Sequence, residues 1–147
     1  MTPEQKEKLA ALLRSQHVAT LITQGGEWPT GTMQAFAETE SLELIFIVGD
    51  HSEKYQDIVR NPKVTALVDN RDTGSVPTFE INRVSFQGIA NEVLRDSTEW
   101  NSLKEIFLRK NSFEAPFFAS PGLKMVRIAP ARIAYSGGLK DNFKLAF

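Results

Sequence analysis

The chain has 147 residues, 41% hydrophobic and 24% charged, the length and balance of one globular domain rather than a disordered or coiled-coil chain. Seventeen Lys and Arg against eighteen Asp and Glu leave a net charge of −1, without the basic excess of a protein that binds nucleic acid by neutralising phosphates. With no cysteine and only two histidines, disulfides and thiol nucleophiles are excluded and a dedicated metal site is disfavoured.

No apolar run reaches the roughly 18–20 residues of a membrane span. The polar opening MTPEQKEKLAALLRSQ lacks the order of a signal peptide. The expectation is therefore one cytoplasmic domain over residues 1–147, with no nucleic acid or membrane among its partners.

The first element reads as a helix. Thr2 caps it, Pro3 suits its first position, and Gln5 completes a capping box; Leu9, Leu12 and Leu13 then share one face. From His17 the run HVATLIT is β-like and stops at Gln24-Gly25-Gly26, where the glycine pair is expected to supply positive φ for a tight reversal. A second strand over about Pro29–Glu38 alternates polar and apolar residues, and a third, Leu42–Val48, is nearly all apolar.

A short helix, SEKYQDIVRN, follows with Ser52 as its cap, and it breaks at Asn61-Pro62. Lys63–Asp69 reads as the fourth strand, Asn70–Pro77 as a loop, and Asn82–Val93 as a long fifth strand with a bulge or bend at Gly88. Ser97–Lys110 is an amphipathic helix with Trp100, Leu103, Ile106 and Phe107 inward. NSFEAPFFAS is expected to cover the barrel or meet another subunit, a substrate lid being the alternative. A last strand, Leu123–Tyr135, is interrupted at Pro130, and the tail from Ser136 is Gly-rich and then mixed.

Six strands and three helices predict a closed or nearly closed antiparallel barrel with helices packed outside, a sandwich being the alternative. The first three strands lack the crossover helices of a parallel sheet.

The stretch IVGDHSEK carries the clearest chemical signal. A buried strand runs through a glycine into a capped helix start, where free N–H groups and Lys54 favour an anion such as a phosphate. The plainer alternative makes Ser52 only a cap and Lys54 a solvated side chain. Neither a G-x-S-x-G nor a P-loop pattern is present.

The ordered series PTGTMQAF, LELIFIVGDHSEK, NPKVTALV and RVSFQG resembles the pyridoxamine 5′-phosphate oxidase-like, FMN-binding split-barrel family. The resemblance covers residues 17–95 and extends to the closing MVRIAPARIAY. It implies an all-β fold with peripheral helices, a six-stranded antiparallel split β-barrel, and a homodimer whose cofactor sites draw on both subunits.

By the same resemblance Thr32, Met33 and Gln34 would lie along the flavin ring, with backbone hydrogen bonds from that strand. Ile47 and Val48 would lie beside the ribityl phosphate, and Ser52 and Lys54 would bind it. Arg83 falls where the oxidases that name the family carry a flavin-contacting glutamine. Thr32, Ala37 and Glu53 replace basic residues of those enzymes, Val48 replaces a threonine, and the chain ends KLAF without their Arg-Leu-x-Pro motif.

The expectation is an FMN-dependent oxidoreductase acting on a small molecule other than pyridoxamine phosphate. A non-catalytic flavin carrier or sensor, and a haem- or deazaflavin-binding barrel, are the alternatives. Haem would call on His17 or His51 as axial ligand.

Overall fold

The computed structural model describes residues 1–74 and 76–147. Helix α1 (Pro3–Ser15) starts as read: Gln5 N donates to Thr2 Oγ1 at 3.1 Å and Thr2 N to Gln5 Oε1 at 2.9 Å. Leu9, Leu12 and Leu13 are buried. Strands β1 (Val18–Thr23), β2 (Thr30–Ala35), β3 (Ala37–Glu38) and β4 (Leu44–Gly49) follow. Next come α2 (Glu53–Arg60), β5 (Lys63–Asp69), β6 (Arg83–Val93), α3 (Thr98–Lys110), β7 (Leu123–Ser136) and β8 (Asn142–Ala146). Among the described residues no helix is long and apolar enough to cross a membrane.

All strand pairs are antiparallel, in the order β2-β1-β5-β6-β7-β4-β3, with β8 also on β7. The two ends of that order, β2 and β3, are one stretch of chain interrupted only at Phe36. The sheet is therefore curled into a barrel that is joined through the chain itself and split where β2 leaves β4.

One core fills the barrel with Phe36, Phe46, Phe86 and Ile128, closed by the leucines of α1 and by Ile58 of α2. A second packs Trp100, Leu103 and Phe107 of α3 with Phe118 against Ile45, Ile47 and Met125. This second core accounts for β4: buried on both faces, it reads as a continuous apolar run.

The architecture is the split barrel that the sequence implies, with eight strands among the described residues rather than six. The second strand is divided at Phe36. The tail forms β8, which pairs Arg132–Ser136 with Ala146–Asn142. Pro130 does not interrupt the last strand. It stands where β7 exchanges β4 for β8 as neighbour, between Ile128↔Leu44 and Arg132↔Ala146, so its missing N–H is not required by either ladder.

The bulge lies at Gln87/Gly88, as read, and the additional residue is Ala131 on β7. A Cβ on Gly88 would come within 2.3 Å of the Ala129 carbonyl. The loop read over Asn70–Pro77 holds a 3-10 turn at Arg71–Thr73, a second follows at Thr78–Glu80, and Ser75 lies outside the described residues.

The Gly25-Gly26 expectation is corrected. Neither glycine has positive φ, and the connection from Thr23 to Thr30 is a longer loop than a tight turn. Gly25 is required by proximity: a Cβ there would stand 2.5 Å from the Asp57 backbone of α2. Thr23 Oγ1 donates to the buried Asp57 carboxylate at 2.8 Å at the same junction, tying the hairpin to the helix.

Candidate cofactor cleft

The ladder between β3 and β4 pairs Glu38 with Leu44 and Ala37 with Ile45. Continued past Phe36, it would set Ala35 opposite Ile47 and Met33 opposite Gly49. It does not continue, because Phe36 N–H turns to the His17 carbonyl at 3.2 Å and β2 stays with β1.

Antiparallel pairs alternate between those that exchange hydrogen bonds and those that turn their N–H and C=O outward. Counting back from Phe36, the outward residues of β2 are Ala35 and Met33. On β4, where Asp50 N–H bonds the Gly122 carbonyl at 2.9 Å, the same count turns Ile47 outward. Backbone donors and acceptors therefore face one another across an open gap.

That gap is a cleft of about 310 Å³ bordered by Met33, Gln34, Ala35, Ile47, Val48, Gly49, Lys54, Glu114, Phe117 and Leu123. The end of α3 supports the break that opens it. Asn111 Nδ2 donates to the Phe36 carbonyl at 2.8 Å, and Lys110 Nζ sits 4.0 Å over the Phe36 ring while paired with Glu38. A carbonyl released from a ladder needs such a partner when buried.

Lys54 stands in the first turn of α2, whose cap is Ser52: Tyr55 N donates to Ser52 Oγ at 3.2 Å, and Ser52 Oγ donates to the Gly49 carbonyl at 2.7 Å. Among the described residues Lys54 forms no ion pair or hydrogen bond. An ammonium without a carboxylate partner, at a helix start and in a cleft, suits an anion. Glu114 is the opposing charge on the wall.

The tyrosine beside Lys54 secures this helix start. Its hydroxyl donates to Glu92 of β6, and that bond, then burial, then the charges of Glu92 and Asp50, push its pKa up to about 12. An unfolded tyrosine ionises near 10. The bond's contribution is thus complete below about pH 10 and is lost as pH climbs toward about 12, because the unfolded chain releases that proton first. Tyr55→Phe is expected to flatten this alkaline decline in urea-unfolding midpoints measured at about pH 9 and pH 11. Parallel declines in the two proteins would remove the bond from the account.

The structure brings Met33, Gln34, Ile47, Val48 and Lys54 into one cleft. Ser52 lines an adjoining cleft of about 570 Å³ with Asp50 and His51, joined to the first along Gly49, Phe117 and Leu123. Thr32 borders neither cleft, and its hydroxyl is buried without a hydrogen-bond partner. Arg83 is absent from both and lines a different cleft at the start of β6.

Sequence reading missed Glu114 and Phe117. They arrive through the 3-10 segment Ser112–Ala119, which it took first as a covering or contact segment and second as a substrate lid. Of its aromatics, Phe118 is buried in the outer core, whereas Phe117 is 56% exposed at the cleft. The Phe-Phe doublet was the available signal, since neighbouring aromatics on a short helical segment cannot both face inward.

The family model for pyridoxamine 5′-phosphate oxidase matches residues 5–137. No curated protein sequence matches the chain. Among solved structures, a haem-binding protein from Mycobacterium smegmatis superposes with a TM-score of 0.87 at 16% identity, over 99% of this chain and 59% of that one. The chain thus spans somewhat more than half of that protein's length.

The haem storage protein HutZ from Vibrio cholerae gives a TM-score of 0.74 at 14% identity, covering 95% of this chain and 92% of that chain. General stress protein 26 from Bacillus anthracis gives 0.68 at 24% identity, over 98% and 99%. At these identities the structures establish a shared fold, and the match over 5–137 establishes the lineage: the chain belongs to the pyridoxamine 5′-phosphate oxidase family.

Proposed function

We propose that the cleft between β2 and β4 holds FMN and that the protein is an FMN-dependent oxidoreductase acting on a small molecule. One observation carries this reading: two strand edges with unpaired backbone groups converge with the unpaired ammonium of Lys54 on a single cleft. A flat ring with donors and acceptors on its rim suits the outward N–H and C=O groups of Met33 and Ala35. The side chains of Ile47 and Val48 supply apolar surface, and Lys54 with the start of α2 suits a phosphate.

The flavin, when bound, supplies the redox chemistry, and the chain supplies binding, orientation and exclusion of water. Met33, 75% exposed, and Phe117 form an apolar lip at the cleft. A second copy of the chain covering that lip is the homodimer proposed here, and it would complete the wall of the site.

The test is the absorption spectrum of the purified protein before and after addition of FMN and removal of the unbound fraction. A retained two-band flavin spectrum supports the reading, and reduction of the bound flavin by NADH or NADPH separates an oxidoreductase from a flavin carrier or sensor. Failure to retain FMN overturns it.

A haem-binding reading has its own support in the printed descriptions of the M. smegmatis and V. cholerae structures. His51 is fully exposed and borders the adjoining cleft, with Asp50 Oδ1 3.4 Å from its Nε2. His17 borders neither cleft. A haem band that disappears in His51→Ala and survives in His17→Ala would favour this reading.

A further inference from the structure

We propose that Arg95, which lies outside the cofactor cleft, is the positioning residue of its outer wall. It fixes Phe117 at the cleft, and cofactor affinity depends on it through that ring. This role rests on the flavin reading of the cleft and adds a residue to it. Arg95 borders neither the cleft at Lys54 nor the one at Ser52. It acts through three backbone carbonyls: Nη1 donates to Phe118 at 3.4 Å, and Nη2 donates to Ser120 at 2.7 Å and to Leu123 at 3.3 Å.

The wall needs such a clamp because its own structure is weak. Glu114 and Phe117 stand on the 3-10 segment Ser112–Ala119, eight residues long with Pro116 inside it. Hydrogen bonds of 3-10 geometry are poor, and runs beyond three or four residues are uncommon. Phe118 is the one side chain of the segment that is buried. The chain then leaves through two turns, with Ser120 N–H on the Phe117 carbonyl at 3.1 Å and Leu123 N–H on the Ser120 carbonyl at 3.2 Å.

Arg95 joins these turns to the rigid parts of the barrel. Leu123 opens β7 opposite Gly49 of β4, the strand end that borders both clefts. The guanidinium carbon lies 5.0 Å from the centre of the Trp100 ring, and Trp100 meets Phe118 edge-on at 6.0 Å. Among the described residues Arg95 enters no ion pair, so its charge is directed at carbonyls and a ring. Its own turn is tight: Ser97 N–H bonds the Leu94 carbonyl at 3.2 Å, and Asp96 has a φ of 62° in the left-handed region. Such a conformation persists only where the surroundings over-determine it.

Only a planar fork serves this purpose. The guanidinium spans the Phe118 carbonyl on one nitrogen and the Ser120 and Leu123 carbonyls on the other, whereas a lysine offers a single point charge on a flexible stem. Phe117 is 56% exposed, so its own packing does not fix it. Its place at the cleft follows the backbone on either side of it, and Arg95 holds that backbone.

Native-state hydrogen exchange of the full chain without FMN, and equilibrium dialysis with FMN, test this together. Arg95→Lys keeps the charge and the stem, so the variant folds. In it the Ser120 and Leu123 amides are expected to exchange about tenfold faster, with those of β5 unchanged. FMN affinity is expected to fall about tenfold, but by less than about twofold when Phe117→Ala is already present. A residue needed only for folding would add the same loss in either background. Unchanged exchange in Arg95→Lys, or equal FMN losses with and without the Phe117 ring, would overturn the proposal. A wild-type chain that retains no FMN overturns the cofactor reading instead, and the exchange rates then decide whether Arg95 holds the wall.

Discussion

Replacing Lys54 by alanine is expected to weaken FMN retention by about ten- to a hundredfold, the equivalent of roughly 1.5–3 kcal/mol for a charge-assisted hydrogen bond. Among the described residues, Lys54 is the one cation that borders the cleft, and no carboxylate competes for it within ion-pair distance. Lys54→Arg should keep most of the affinity, since it keeps the charge. Glu114→Gln should move affinity the other way, because it removes the opposing charge from the same wall. Equilibrium dialysis of FMN against the three variants reads all of this. An unchanged affinity in Lys54→Ala would detach the phosphate from the start of α2, even if FMN still binds.

A larger effect, on stability, is expected at Lys110. Its ammonium pairs with Glu38 at 2.5 Å and donates to the Leu13 carbonyl at 2.7 Å, and its side chain is only 13% exposed against 19% for Glu38. One residue thereby ties the end of α1, the end of α3 and β3 around the break at Phe36. Lys110→Met leaves the Glu38 carboxylate half-sequestered and without its partner, a defect that costs about 3–5 kcal/mol for a buried pair.

Burial nevertheless outweighs Glu38 and holds the Lys110 pKa below the ordinary lysine range. The pair therefore gains little over an apolar replacement, and Lys110→Met combined with Glu38→Leu should recover most of the loss. Urea denaturation of the single and double variants decides it. Equal loss in both would mean that the pairing itself, and not the stranded charge, carries the stability.

The helices and most of the strands were legible because their signals are local. Thr2-Pro3 with Gln5, and Ser52, are caps whose hydrogen bonds reach only three residues ahead, and each forms as its spacing indicates. The alternation in Lys63–Asp69 needs only one buried face. Leu123–Ser136 was harder, since Pro130 reads as a break. It is continuous because the residue lies where one neighbouring strand ends and another begins, and no local pattern reports that exchange.

The same divide runs through the cofactor cleft. Ser52-Glu53-Lys54 announced a helix start with a free cation, and the structure places Lys54 on the wall. Glu114 and Phe117 reach that wall only through the packing of α3 and the 3-10 segment after it, about sixty residues further along the chain. Arg83 stands at a position where the family carries a glutamine, and within the chain it borders a cleft with β8, an element that the mixed tail did not disclose.

By itself the sequence determined the strand-rich pattern, the helix starts and the ammonium at the head of α2, because periodicity and capping act over a few residues, while the family was legible through the resemblance of its ordered motifs. Only the tertiary structure decided that the ladder stops at Phe36. That choice depends on Asn111 and Lys110, some seventy-five residues away, offering Phe36 a hydrogen bond and a charge that a continued strand would not have received.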